Sequence, residues 1–303
     1  MTRMNNIKIR NFDDKDLPVI VDLLNYAYQG TYEFTPYREE DVRSWLQRGN
    51  AEIFVAEAEG EILGVTFYRD GPWGEEIEWL AVRNIENKRT VEDALVKAVE
   101  EHVKGSIVFT AVDAESPKIA EWIARGYKVE GGLYHMVIKL DGLKPIPKVP
   151  EGITLRSLKP EEEKAFVEAV NAGFGWERIG MGVIQRWKDE HPPFNEEWIH
   201  VADDCGKIVS VVVSRPDTEY NEYYGGKRGY MGPAATIPQY CGKGLASALT
   251  CRAMNFLYTR GYDSAALYTV EQNIPSVTLL QKLGFRVAHN WKFMRKKIQR
   301  ESK

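Results

Sequence analysis

The chain has 303 residues, 44% apolar and 28% charged, with a formal net charge of −4. That profile suits a soluble globular protein with room for two domains, and it excludes a disordered chain. No apolar run approaches the roughly 18–20 residues of a membrane span, and the acidic balance gives no pull toward nucleic acid.

The start, Met1 to Phe12, lacks the apolar core of a signal peptide. The three cysteines, Cys205, Cys241 and Cys251, are odd in number and show no C-x-x-C spacing. Neither a disulfide framework nor a metal site is therefore expected, and a reduced, cytoplasmic setting is.

In chain order, the segment Ile7-Lys8-Ile9-Arg10 reads as a strand and leads into a helical run reaching Asn25 and Tyr28. A strand pair follows, marked by Val55-Ala56, Gly60, Ile62 and Arg69. The pattern then restarts. Ile153-Thr154-Leu155-Arg156 leads to Asn171 and Phe174, and Val201-Ala202, Gly206, Ile208 and Arg215 come next, all at a constant offset of 146. Gly126-Tyr127 matches Gly284-Phe285 at 158, so the second copy carries about twelve extra residues. Part of that insertion falls in Asp217 to Arg228, which reads as a polar, tyrosine-rich hairpin. The expected division is a first domain over 1–142, a proline-rich linker over 143–150 and a second domain over 151–303.

The second copy predicts strands at Ile153–Arg156, Trp198–Asp203, Ile208–Ser214, Tyr230–Ile237, Ala265–Val270 and Val287–Lys297. Helices are predicted at Glu161–Ala172, Leu245–Tyr258 and Pro275–Leu283. Hairpins alternating with crossover helices imply an α/β fold, a mixed twisted sheet, once in each copy.

The most informative stretch is Ile237-Pro238-Gln239-Tyr240-Cys241-Gly242-Lys243-Gly244-Leu245-Ala246. An apolar strand runs into a glycine loop, and the loop opens a helix. Glycines let a ligand approach the backbone, and a helix start offers unpaired N–H groups and a positive dipole end. Such a loop can cradle a diphosphate. It is not an NTPase loop, because Gly242-Lys243 is followed by Gly244, and the third glycine of a dinucleotide fingerprint is missing.

Gln239-Tyr240-Cys241-Gly242-Lys243-Gly244 resembles Q/R-x-x-G-x-G/A, the acetyl-CoA motif of the GNAT acyltransferases. Downstream, Asn273-Ile274-Pro275-Ser276-Val277-Thr278-Leu279-Leu280-Gln281-Lys282-Leu283-Gly284-Phe285 resembles the family pattern N-x-x-A-x-x-L-Y-x-x-x-G-F. Asn273, Leu279, Gly284 and Phe285 fall in place, with Ser276 standing for alanine. The resemblance implies two tandem GNAT-like domains, similar in architecture to proteins of the mycothiol synthase type, though it does not extend to their substrate. It also implies an acyltransferase that moves an acetyl group from acetyl-CoA to the primary amine of a small acceptor, as a monomer or homodimer without nucleic-acid or membrane partners.

Carried over residue by residue, the cofactor contacts are Ala235, Thr236, Ile237, Gln239, Gly242, Lys243, Gly244, Leu245, Ala246, Asn273 and Ser276. The main-chain N–H of Ile237 is the expected oxyanion donor. Two positions depart from the pattern: Leu280 stands where many members hold a tyrosine acid, and Cys241 stands where an arginine is frequent. Tyr268 is the alternative acid, its other role being to fill the core between sheet and helix. Glu222, Tyr223 and Tyr224 could relay a proton, and His135, His191 and His200 read as ordinary surface or core residues. Trp176 and Trp187 read as core residues.

In the first copy, Val82-Arg83-Asn84-Ile85-Glu86-Asn87-Lys88-Arg89-Thr90 replaces the glycine loop, and Glu115 stands opposite Asn273. That copy resembles the fold but not the cofactor site. The competing reading is a GNAT fold that binds acetyl-CoA without turnover, favoured by Leu280 and by the lack of a glutamate on Tyr230–Ile237.

Overall fold

The computed structural model describes residues 7–47, 49–71 and 74–299; the outer ends of the two expected domains, 1–6 and 300–303, lie outside these. The first copy contains β1 (Lys8–Asn11), α1 (Leu17–Tyr28), α2 (Glu39–Gln47), β2 (Ala51–Ala58), β3 (Glu61–Gly71) and β4 (Gly74–Val82). It continues through α3 (Lys88–His102), β5 (Ile107–Asp113), α4 (Lys118–Ala124) and β6 (Lys128–Lys139). The second contains β7 (Ile153–Ser157), α5 (Glu163–Phe174), α6 (Val183–Glu190), β8 (Ile199–Asp204), β9 (Lys207–Pro216) and α7 (Thr218–Tyr224). It ends with β10 (Arg228–Thr236), α8 (Leu245–Thr259), β11 (Ser264–Val270), α9 (Ile274–Lys282) and β12 (Arg286–Lys297). Apart from α7, the two element orders are the same.

The compact units cut across the expected boundary. One comprises residues 7–133 with 290–299, and the other is Tyr134–His289. The first unit has strand order β1-β2-β3-β4-β5-β12, and its closing strand comes from the end of the chain, with Trp291 opposite Asp113 and Lys297 opposite Ile107. The second has order β7-β8-β9-β10-β11-β6, and β6 takes the place that β12 fills in the first. The expected linker belongs to the second unit: Asn255 on α8 holds both main-chain groups of Lys144, at 2.7 and 2.8 Å.

Duplication extends to individual side chains. Arg10 binds Glu57 and Asp16 at 2.7 and 2.6 Å; at the same offset, Arg156 binds Asp203 and Glu162 at 2.8 and 2.7 Å. Asn25 brackets the main chain of Tyr37, and Asn171 does the same for Ile179. Both β2–β3 and β8–β9 turn on a left-handed pair, Glu59-Gly60 and Cys205-Gly206, the geometry of tight hairpins. The inserted residues form not a hairpin but the short helix α7. Asn221 bonds the main chain of Arg228 at both ends, and Arg228 in turn binds Asp217 at 2.7 Å, which folds the segment back on itself.

In the first unit, Leu17, Ile20 and Leu24 of α1 share a core with Phe67 and Trp79, while Val91, Leu95 and Val99 of α3 lie in a second core with Ile77 and Val82. Helices thus cover both faces of that sheet. The second unit has one continuous core in which Phe166 and Val170 of α5, Leu249 and Met254 of α8, and Val209, Val211 and Val213 of β9 take part. Buried aliphatic side chains of this kind contribute about 1.5–3 kcal/mol each.

The duplicated arginine clusters give the fold an acid limit. Bonds from Arg10 and Arg156 hold the carboxyls of Asp16 and Glu162 below their ordinary range. Because folding lowers these pKa values, the stability they give is complete above the unfolded range near pH 4 and is lost as the pH falls below it. Thermal stability is expected to ease downward below about pH 6.5, where unfolding lets the buried His191 and His200 take up protons, and to drop more steeply below about pH 4. Arg156→Met should flatten that drop, and an unchanged acid limb would refute the assignment.

Candidate active site at the parting strands

β10 lies between β9 and β11, but its two neighbours do not follow it equally far. With β11 it pairs in parallel at Arg228↔Ser264, Gly229↔Ala265 and Tyr230↔Ala266. With β9 it continues antiparallel, after a register shift between Met231 and Ala234, through Ala234↔Val212, Ala235↔Val211 and Thr236↔Ser210. Beyond Tyr230 the strands β10 and β11 part, and Ala234 is exposed although it lies within a strand. The parting leaves a slot along β10 beyond Tyr230.

Which backbone groups face the slot follows from strand alternation. Ile237 is buried, and its N–H donates to the carbonyl of Val209 at 3.0 Å. Ile237 therefore points its N–H at β9, which corrects its assignment as the oxyanion donor. The parity puts Ala235 on the β9 side as well and turns the main-chain groups of Ala234 and Thr236 toward the slot. Behind them α5 packs very close. A Cβ on Gly173 would lie 2.8 Å from the Ala235 methyl and 3.1 Å from the Thr236 nitrogen, so only glycine fits there.

The strand turns at Pro238–Tyr240 into the glycine loop. Gly242 and Gly244 have φ of +76° and +77°, and a Cβ at either would meet nothing within 4 Å. Both features fit a bound diphosphate: the backbone needs glycine, and the space above it is open. Gly244 is the N-cap of α8 and supplies no side-chain cap, so no N-cap side chain covers the N–H groups of the first turn. The α8 face runs as predicted, with Leu245, Ala248, Leu249, Met254 and Leu257 buried. Gln239 and Lys243 are exposed beside the loop, and the Lys243 ammonium lies 4.4 Å from the centre of the Tyr240 ring.

Asn273 and Ser276 come together at the start of α9, where the Asn273 carboxamide accepts the Ser276 N–H at 3.4 Å. Leu280 is buried in the core and has no group that could serve as an acid.

Tyr268 is not a core residue. It is 43% exposed, whereas Leu267 and Thr269 on either side are buried. It belongs to a row across one face of the sheet. Arg215 on β9 is directly opposite Tyr230 on β10, with its guanidinium 4.4 Å above the Tyr230 ring. The Tyr230 ring is 6.1 Å from that of Tyr268, which stacks on His135 at 4.6 Å. Burial holds the Tyr230 phenol above its usual pKa, and its hydroxyl bonds the main chain of Tyr268. Tyr230 and Arg215 were legible only through cross-strand register: alternation along β10 and β11 puts Tyr230 and Tyr268 on one face.

Of the histidines, His135 is fully buried in this row. His191 lies between Arg215, whose Nη1 is 2.8 Å from Nε2 and 3.3 Å from Nδ1, and the Thr218 hydroxyl, 3.1 Å from Nδ1. Burial and the Arg215 charge push its pKa down to about 4. His200 is a buried structural residue bonded to Ser214 at 3.0 Å. Trp176, expected in the core, is 42% exposed, while Trp187 packs against Phe166 and Phe194. On α7, Glu222, Tyr223 and Tyr224 are all exposed.

Residues 156–285 match the acetyltransferase (GNAT) family model. The second copy is thus a GNAT acetyltransferase domain. Over 299 residues it is 27% identical to the mycothiol acetyltransferase of Salinispora arenicola, a match covering 94% of this chain and 95% of that one. Its fold is similar to a GCN5-related N-acetyltransferase from Sphaerobacter thermophilus, with a TM-score of 0.72 and 21% identity over 100% of this chain and 98% of the other. A tandem GNAT protein from the clavulanic acid biosynthesis pathway shares the fold at a TM-score of 0.66 and 16% identity, over 98% of this chain and 100% of its own. Among the described residues no helix is long and apolar enough to cross a membrane.

Proposed function

We propose that the second unit transfers an acetyl group from acetyl-CoA to the primary amine of a small molecule. The observation that carries this reading is continuity: the slot where β10 leaves β11 runs directly into a left-handed glycine loop and an uncapped helix start. A pantetheine arm would add to β10 as a strand on Ala234 and Thr236, and the diphosphate would rest on Gly242, Gly244 and the N–H groups of Leu245 and Ala246. Gln239 and Lys243 would flank it, with Asn273 and Ser276 beyond the parted strands.

With Ile237 committed to β9, the slot-facing N–H of Ala234, the one farther from the glycine loop, takes over as oxyanion donor, while Thr236 pairs with the pantetheine. Such a preorganised donor is worth roughly 2.7–4 kcal/mol. As the amine attacks the thioester carbon, the C–S bond breaks and the sulfur leaves as a thiolate, the conjugate base of a thiol with pKa about 8.5. Tyr268 is the acid that returns a proton to it, and the proton shed by the attacking nitrogen passes to solvent, from which Tyr268 is reprotonated. His191 is unsuited as the base, because burial and the Arg215 charge hold its pKa down to about 4.

Relatives named mycothiol acetyltransferase make an acceptor of that chemistry the first to try. The test is thiol release from acetyl-CoA across a library of small amines. The reading expects amine-dependent release that is lost in Gly244→Glu. Tight acetyl-CoA binding with no amine-dependent release from any amine class would instead leave a binding protein.

A further inference from the structure

The first unit also has parting strands. β4 pairs in parallel with β5 at Glu76↔Phe109 and runs on to Val82. The N–H of Arg83 donates to Leu63 at 2.9 Å, so alternation turns the main-chain groups of Leu80 and Val82 toward this second slot. Thr66 pairs with Leu80, and Val212, its counterpart at the offset of 146, pairs with Ala234. Leu80 therefore holds the place of Ala234.

The Leu80 backbone is already engaged. The Tyr28 hydroxyl accepts its N–H at 3.0 Å and lies 3.5 Å from its carbonyl, toward which it donates. A phenol both donates and accepts, as one amide of an added strand does. Burial pushes the Tyr28 pKa up to about 12, which keeps it neutral. Beside it remains a cavity of about 280 Å³ lined by Leu80, Val82, Asn84, Lys88 and Lys118, just below the range usual for small-molecule sites. The counterpart of Tyr28 at the same offset is Phe174, next to the Gly173 that packs on Ala235 and Thr236. Phe174 has no hydroxyl.

We infer that Tyr28 is a built-in occupant of the first slot, taking the backbone contacts a pantetheine amide would make, and that Phe174 leaves the second slot open by lacking one oxygen. This rests on the acetyl-CoA reading of the second unit. It makes residue 174 a specificity determinant: a hydroxyl there closes the slot.

Two measurements on the full chain separate the inference from that reading. In Tyr28→Phe, hydrogen exchange at the Leu80 amide should speed up at least tenfold relative to its β4 neighbours. In Phe174→Tyr, calorimetry should show acetyl-CoA affinity falling at least tenfold, exchange at the Ala234 amide should slow, and thermal unfolding should stay close to wild type. Unchanged Leu80 exchange would overturn the role of Tyr28. Wild-type affinity with unslowed Ala234 exchange would overturn that of Phe174. If wild type binds no acetyl-CoA, the reading of the second unit fails, while Leu80 and Ala234 exchange still decide the fate of the two hydroxyl positions.

Discussion

Replacing Gly244 with glutamate is expected to lower acetyl-CoA affinity by about 10²–10³-fold while the protein stays folded. A Cβ there enters open space above the loop, so the new carboxylate stands where the diphosphate would rest. Two like charges about 4 Å apart repel by about 4 kcal/mol at the effective dielectric of a protein surface, and each 1.4 kcal/mol is tenfold in affinity. Rotation of the side chain away from the ligand recovers part of that loss. A left-handed φ of +77° with a side chain adds a folding cost of roughly 1–2 kcal/mol, visible as a modest fall in Tm. Gly244→Ala shares the backbone strain without the charge, so it should match the Tm change and lose far less affinity. An unaltered calorimetric isotherm for the glutamate variant would remove the glycine loop from the site.

Tyr268→Phe is expected to depress kcat by about 10²-fold or more and to leave acetyl-CoA binding unchanged. The substitution keeps the ring, and with it the stacking on His135, so only the proton is lost. Tyr268 is half exposed, two residues past the last pairing of β11 with β10, whereas Leu280 is sealed in the core. Turnover within a few fold of wild type would show that the thiolate leaves unassisted.

The duplication could be read because its repeated residues have physical work to do at each site. Arg10 and Arg156 each tie a strand to the following turn, and Asn25 and Asn171 each bracket a loop, so both kept their spacing. The same comparison aligned Tyr28 with Phe174, but the consequence needs the register of β4 and β10, which lies in hydrogen bonds and not in residue type. Strand closure was hidden for a similar reason. β6 and β12 carry equivalent strand patterns, and periodicity does not say which distant neighbour each will pair with. The glycine loop was legible because positive φ and open space both demand glycine, whereas the oxyanion donor depended on parity, in which Ile237 and Ala234 differ. The inserted segment read as a hairpin because its polar, tyrosine-rich composition does not reveal the Asn221 and Asp217 contacts that wind it into α7.

Calorimetric titration of the full chain with acetyl-CoA tests the central claim most directly. In the first unit Glu86 is exposed in the loop before α3, Glu115 stands opposite Asn273, and Tyr28 engages the Leu80 backbone. The second unit has the two open glycines and the bare start of α8. The account predicts one site per chain, weakened about 10²–10³-fold by Gly244→Glu. Two equivalent sites, or a single site whose affinity Gly244→Glu leaves unchanged, would contradict it.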